Sequence, residues 1–236
     1  MRPFFSGLVG LLLLGMVTPV LATPVAIDDF QDGSTMGWVV GDPSHPSPPA
    51  NVSTGGPGGV GDAFLQLTAN GGDGPGSRLS ALNSSQWTGD FIGAGITSIA
   101  MDVNNFGPED LVLRLLFVNF PVAGPPTDVA WTLAPIFVPA GSGWANVVFD
   151  LSAANLFAPF GTTAGALGDV NEFRIFHNPA PAFGGPLVGS APVNAVLGVD
   201  NIQAVPEPAT LVLLGAGIVG TLAGGRRYRR RPVSPS

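Results

Sequence analysis

A glycine or proline stands at about every fourth position of this chain, 34 and 24 of 236 residues, and long helices do not survive breakers at that density. Short strands joined by turns are what such a chain can build. Between the breakers the apolar residues recur with period two: Ile99, Met101 and Val103 alternate with Ala100 and Asp102, Val147, Phe149 and Leu151 with Val148 and Asp150, and Leu65 and Leu67 flank Gln66. Further strands are predicted over Val25–Phe30, Trp38–Val40, Leu79–Leu82, Leu111–Phe120, Val129–Val138, Val170–His177 and Val196–Gln203. About ten strands in 180 residues suit an all-β fold, a two-sheet β-sandwich of jelly-roll type. Leu111–Phe120, broken only by Arg114 and Asn119, reads as a central strand buried on both faces. The glycine- and proline-rich stretches 43–61, 71–76, 121–126 and 179–185 read as loops. Cysteine is absent, so packing alone must hold the fold.

Charge divides the chain. There is no lysine, and the segment 23–208 carries three arginines against all sixteen acids, net −13, whereas the last eleven residues carry five arginines. An acidic body of this kind repels phosphate backbones, which excludes nucleic acid as a partner.

The two ends are addresses. Arg2, the apolar run 4–17 and the small residues before a cut after Ala22 form a secretory signal peptide, residues 1–22, which implies export through the Sec machinery. The body then spans 23–204. Residues 209–225 carry no charge and are long enough for a single transmembrane helix, stopped by Arg226, Arg227, Arg229, Arg230 and Arg231 within the cluster 226–231. A short tail, 232–236, follows. The arginines hold the C-terminus on the cytoplasmic side, leaving the acidic body outside.

Ahead of that span stand Pro206, Glu207 and Pro208. The order Pro-Glu-Pro, short glycine-rich apolar helix and arginine cluster, over residues 205–231, resembles the PEP-CTERM sorting signal of Gram-negative bacteria. The resemblance implies recognition by an exosortase, a membrane-embedded cysteine protease or transpeptidase that cuts near the motif and removes a transient membrane anchor. It implies delivery to the cell surface or extracellular matrix, often alongside exopolysaccharide and biofilm production. The two prolines independently force an extended segment there, the form in which proteases bind chain. A permanent membrane anchor is the alternative.

Ile27-Asp28-Asp29-Phe30, Gly37-Trp38, Gly143-Trp144 and Gly198-Val199-Asp200-Asn201-Ile202 give the body a diffuse resemblance to carbohydrate-binding jelly rolls of the galactose-binding-like class, which implies that the opening and closing strands are neighbours. Sugar binding would use an aromatic face among polar groups, and Trp87, set among Gln86, Asp90 and several serines, is the candidate platform; packing into the core is the competing fate. The acids have two readings as well. They are solubilising surface charge, or Asp28 or Asp29 with Asp200 holds a structural Ca2+. No other cofactor is expected. His45 and His177 lack a nucleophile elbow to serve, and neighbouring acids such as Asp28 and Asp29 point to opposite faces of a strand, so no catalytic residue is assigned. The reading is a non-enzymatic, exopolysaccharide-associated surface protein; the alternative is a secreted glycan-active enzyme using loop carboxylates.

Overall fold

A computed structural model describes residues 26–207, apart from 73, 75, 122, 123 and 181–190. The expected signal peptide 1–22, Pro208, the apolar run 209–225, the arginines of 226–231 and the tail 232–236 lie outside the described residues. Among the described residues no helix is long and apolar enough to cross a membrane.

The strands are β1 Ile27–Asp28, β2 Trp38–Val39, β3 Ala50–Val52, β4 Phe64–Asn70, β5 Ser80–Asn83, β6 Ile96–Asn105, β7 Leu111–Asn119, β8 Asp128–Thr132, β9 Ile136–Val138, β10 Ala145–Asp150, β11 Leu156–Phe160, β12 Glu172–His177 and β13 Asn194–Pro206. One short helix, α1, covers Thr163–Gly168. Two antiparallel sheets result. The first runs β10-β6-β13-β4-β3 with β1 also on β13; the second runs β11-β8-β7-β12-β5-β2 with β9 also on β7. The all-β two-sheet sandwich is therefore observed.

Period-two alternation decides which side chains meet between the sheets. Leu65, Leu67, Ile99, Met101, Val103, Leu197 and Val199 from the first sheet face Leu111, Leu113, Leu115, Phe117, Phe173 and Ile175 from the second. Phe117 and Phe173 stack with centroids 5.3 Å apart and planes 12° from parallel. β7 sits inside its sheet as expected, and its other face carries a second apolar cluster of Leu116 and Val118 with Val129, Trp131 and Phe176.

The segment 129–138 departs from the sequence expectation of one strand. It is two, β8 and β9, which pair with different ends of β7. Pro135 at the break lacks a donor, and the buried Arg114 fills the gap: its Nη1 donates to the Thr132 carbonyl at 2.9 Å and the Leu133 carbonyl at 2.6 Å, and its Nε to the Asn178 carbonyl at 3.0 Å. Burial lowers the pKa of that guanidinium from its ordinary value, and the three backbone carbonyls accept its hydrogen bonds. β3 lies within the stretch 43–61 that reads as loop.

β13 is the strand on which the rest turns. It pairs with β6 along one edge and with β4 and then β1 along the other. Opening and closing strands are thus neighbours, with Ile27 opposite Gln203 and Asp28 opposite Ile202. Midway, Asn201 takes φ 49°, and the register with β6 shifts between Asp200 and Gln203. This bulge keeps Val199 and Ile202 both inward and leaves Asp200 on the outer face.

Candidate functional site

Three places in the body bring reactive or recognisable groups together. The first is interior. Asp28 pairs with Ile202 on the inward face, 1% exposed, and its carboxylate meets the edge of the second sheet. Oδ2 accepts from Trp38 Nε1 and from Trp87 Nε1, both at 2.7 Å, and the Gln86 amide donates to Oδ1 at 3.0 Å and Oδ2 at 3.1 Å. Gln86 Nε2 also donates to the Met36 carbonyl. These bonds tie β1 of one sheet to β2 and to the chain after β5 of the other.

That geometry corrects two sequence expectations. Trp87 is 1% exposed and packs tilted against Phe173 with ring centroids 5.2 Å apart, so it offers no face to a sugar; the polar residues around it in sequence form the loop while the ring turns inward. Gln86 is committed to Asp28, and Asp90 accepts from the Gly93 N–H at 2.7 Å in a turn. Asp28 is likewise withdrawn from any metal set, since indole and amide donors occupy both its oxygens.

The second place is the outer face of the first sheet. Asp200 stands directly across from Asp102 on β6. It is completely buried, and its pKa is pushed up to about 7, first by burial and then by the charges of Asp62, Asp102 and Asp29, against the Asn201 N–H that donates to its Oδ1 at 2.7 Å. Neutral amides serve this group: Asn201 Nδ2 donates to Asp102 Oδ2 at 2.9 Å, Asn146 Nδ2 to Asp102 Oδ1 at 2.9 Å, and Gln31 Nε2 to Asp62 Oδ1 at 2.9 Å. Arg174 pairs with Glu172 on the other sheet, away from this group, and among the described residues no three acids or histidines converge as a ready metal cage. Sequence reasoning found Asp29 and Asp200 and missed Asp62 and Asp102; the register of β13 on β6 brings in Asp102, and the folding of the loop before β4 brings in Asp62.

The third place is the end of β13. The strand continues through Val205, opposite Ser98, and Pro206, opposite Ile96, so two residues of the sorting segment are part of the sheet. Glu207, exposed, donates its N–H to the Gly95 carbonyl at 2.9 Å. It rims an open cleft of about 550 Å³ lined also by Ile92, Ile96, Leu151, Leu156 and Leu167. The expected extended conformation is present, but as a paired strand.

His177 closes β12, where its Nδ1 accepts from the Val112 N–H at 3.0 Å; burial lowers its pKa, with Glu109 acting the other way. It is a hydrogen-bonded strand-end residue. On the outer face of the second sheet, Phe157, 46% exposed, lies against Trp131 at 5.3 Å, with Phe176 and the Glu172–Arg174 pair on the same face.

Residues 204–231 match the PEP-CTERM protein-sorting motif. No curated protein matches the sequence. Among solved structures, an exo-beta-agarase superposes with a TM-score of 0.52 at 14% identity over 79% of this chain and 25% of that one. The likeness shows a shared fold, and this chain spans a quarter of the agarase chain. The family 11 carbohydrate-binding module of the cellulosomal cellulase Lic26A-Cel5E of Clostridium thermocellum is similar at 0.47, with 11% identity over 80% and 96% of the two chains. A putative sugar binding protein from Bacteroides thetaiotaomicron is similar at 0.40, with 9% identity over 79% and 96%.

Proposed function

We propose, from the PEP-CTERM sorting motif that this chain carries, that it is an exported protein handed to an exosortase and displayed at the cell surface or in its matrix, where the sandwich binds glycan without turning it over. The motif at 204–231 is the observation that carries the sorting half. In this reading the chain crosses by the Sec route, is held briefly by residues 209–225 with the arginines inside, and is freed by a cut near Pro206-Glu207-Pro208. Intact-mass measurement of protein from an exosortase-competent host tests it: loss of 1–22 and of the residues after the motif is expected, and a retained tail in that host returns the alternative, a permanent anchor.

The binding half rests on the outer face of the second sheet. Sugar rings present C–H faces that stack on aromatic side chains and hydroxyls that bond to charged groups beside them. Phe157, half exposed and backed by the buried Trp131, supplies the aromatic face, and the Glu172–Arg174 pair on the same sheet face the charged groups. A glycan array comparing wild type with Phe157→Ala tests it. Loss of a polysaccharide signal at unchanged melting temperature is expected, because Phe157 is half exposed and outside the core; an array without signal for either protein removes the reading. The runner-up, a glycan-active enzyme, is favoured only by turnover that a single loop acid abolishes.

A cation belongs to this proposal at the outer acidic group. Asp200 is buried beside Asp29, Asp62 and Asp102 with amide donors only, and a hard divalent ion satisfied by carboxylates and carbonyls would relieve that charge. The carboxylates would have to draw in to hold it, since they do not converge as they stand.

A further inference from the structure

The sorting segment is built into the sheet. β13 has a neighbour on each edge for most of its length, and its last buried residues, Ile202 at 0% and Ala204 at 1% exposure, belong to the core. The Ala204 N–H donates to the Ala26 carbonyl at 3.1 Å on one edge while the residue faces Ile99 on the other. Val205 lies opposite Ser98, and its carbonyl accepts from Thr97 Oγ1 at 3.4 Å. Pro206 has no N–H to give, and the register with β6 slips by one residue there. Pairing then resumes past the proline, where the Glu207 N–H reaches the Gly95 carbonyl at 2.9 Å. No slack chain separates the core from the motif.

Enzymes that cut or rejoin chains grip several extended residues through their main-chain groups. Upstream of the motif those groups are already engaged by β6 and β1. We propose that the folded body masks its own processing site: the cut beside Pro206-Glu207-Pro208 waits until the end of β13 peels from β6. This rests on the reading of the chain as an exosortase substrate and adds its regulation. Val205 to Glu207 fray at small cost, since they bury little. Opening further withdraws Ala204 and Ile202 from between the sheets, so the population of gripped chain, and with it the processing rate, is set by local stability. Newly exported chain that has not yet folded is the better substrate.

A disulfide tests this with the full-length protein. Ser98 and Val205 are directly opposed across an antiparallel pair, a separation of about 4.5–5.5 Å between Cα atoms that a disulfide spans, and the chain has no other cysteine to interfere. Ser98→Cys with Val205→Cys, oxidised, pins the strand end; reduction releases it. Conversion to the short form is followed by mass in exosortase-containing membranes, beside wild type and a variant with six Gly-Ser residues inserted between Ala204 and Val205. The oxidised form is expected to convert on the order of tenfold more slowly than the reduced form, and the spacer variant faster than wild type. Equal rates for the oxidised and reduced forms overturn the proposal whatever the spacer does. No conversion of any protein, the spacer variant included, sinks the sorting reading and this inference with it. Should the cysteine variant not fold, hydrogen exchange at the Glu207 amide of wild type decides: protection supports masking, and exchange at the rate of free chain overturns it.

Discussion

Asp28 and Asp200 are two carboxylates on neighbouring strands of one sheet, equally cut off from water, yet they live under opposite conditions. Asp28 faces inward and meets two indole N–H groups and an amide. Asp200 faces outward, where burial and then the charges of Asp62, Asp102 and Asp29 push its pKa up to about 7. Burial alone therefore says little about a charged group. What decides is whether donors or like charges share the site, and here the face of the sheet makes that choice. The inner acid fastens two sheets together. The outer one is a charge the fold carries at a cost, which is where ligand chemistry has room to act.

The strongest way to break the comparison is to delete the inner acid. Asp28→Ala leaves two buried indole donors and the Gln86 amide without their acceptor, and each buried unmade bond costs about 1–3 kcal/mol. A loss of about 4 kcal/mol in urea unfolding is expected, enough to unfold much of the protein near its working temperature. Asp28→Asn, which keeps one acceptor oxygen, should recover part of it. A change in Asp28→Ala within the range of an ordinary surface substitution would show that the indoles find other partners and that the two sheets are not held by this group.

How much of this contrast the sequence carried is instructive. Alternation puts Asp28 and Asp29 on opposite faces without saying which is inward, and the central placing of β7 follows from its apolar residues on both faces. The partners of Asp28 do not follow, because Trp38 and Trp87 approach from 10 and 59 positions away. Trp87 shows the limit of local reading. Gln86 and the serines beside it describe the loop, whereas the ring answers to Phe173 across the interior. The outer group is hidden for a different reason: alternation puts Asp200 outward after Val199, but its partners Asp102 and Asp62 come from β6 and from the loop before β4, 98 and 138 positions away in the chain, and only the register of β13 on β6 brings the first of them opposite. Likewise 129–138 looks like one strand until Pro135 and the donors of Arg114 divide it.

The next largest effect concerns calcium. If the outer acids hold the ion, millimolar Ca2+ at pH 8 should raise the melting temperature; binding at a hundredfold excess over Kd is worth about 2.7 kcal/mol. Protons and the cation compete for Asp200, so the gain should shrink at pH 5, below its pKa of about 7. Asp28→Asn would leave the calcium response in place, whereas Asp200→Asn would remove it. A melting temperature blind to Ca2+ at pH 8 leaves the group as plain buried charge.

Without calcium, Asp200 makes its own pH signature. Its folded pKa of about 7 lies above the ordinary aspartate value of about 3.9, so the folded state holds the proton more tightly than the unfolded chain does. The stability this contributes is complete below the unfolded value and is lost as the pH rises through about 7. Wild type should therefore melt lower at pH 8 than at pH 5, and Asp200→Asn, which carries no charge, should flatten that part of the profile and melt above wild type at pH 8 by a few degrees. A wild-type profile that rises from pH 5 to 8 and falls below the variant nowhere would place the protonation elsewhere.

The smallest effect probes how rigid the outer face is beside the inner one. Gly198 lies two residues before Asp200, and a Cβ there would come within 2.8 Å of Phe106 Cε2 and of Trp144 Cη2. Those rings, with Phe64, form an aromatic cover over the outer strand, and the Trp144 Nε1 donates to the Gly55 carbonyl at 2.8 Å. Phe106 is half exposed and able to swing aside, so Gly198→Ala should cost only about 1 kcal/mol, far less than an equal intrusion between the sheets. Tryptophan fluorescence separates the outcomes. Trp144 is the partly exposed indole next to the new methyl and should shift to the red, while Trp38 and Trp87, locked on Asp28, keep their emission. A loss of several kcal/mol would mean that the aromatic cover is as tightly packed as the core, and the outer face would then lack the freedom that drawing its acids around a cation requires.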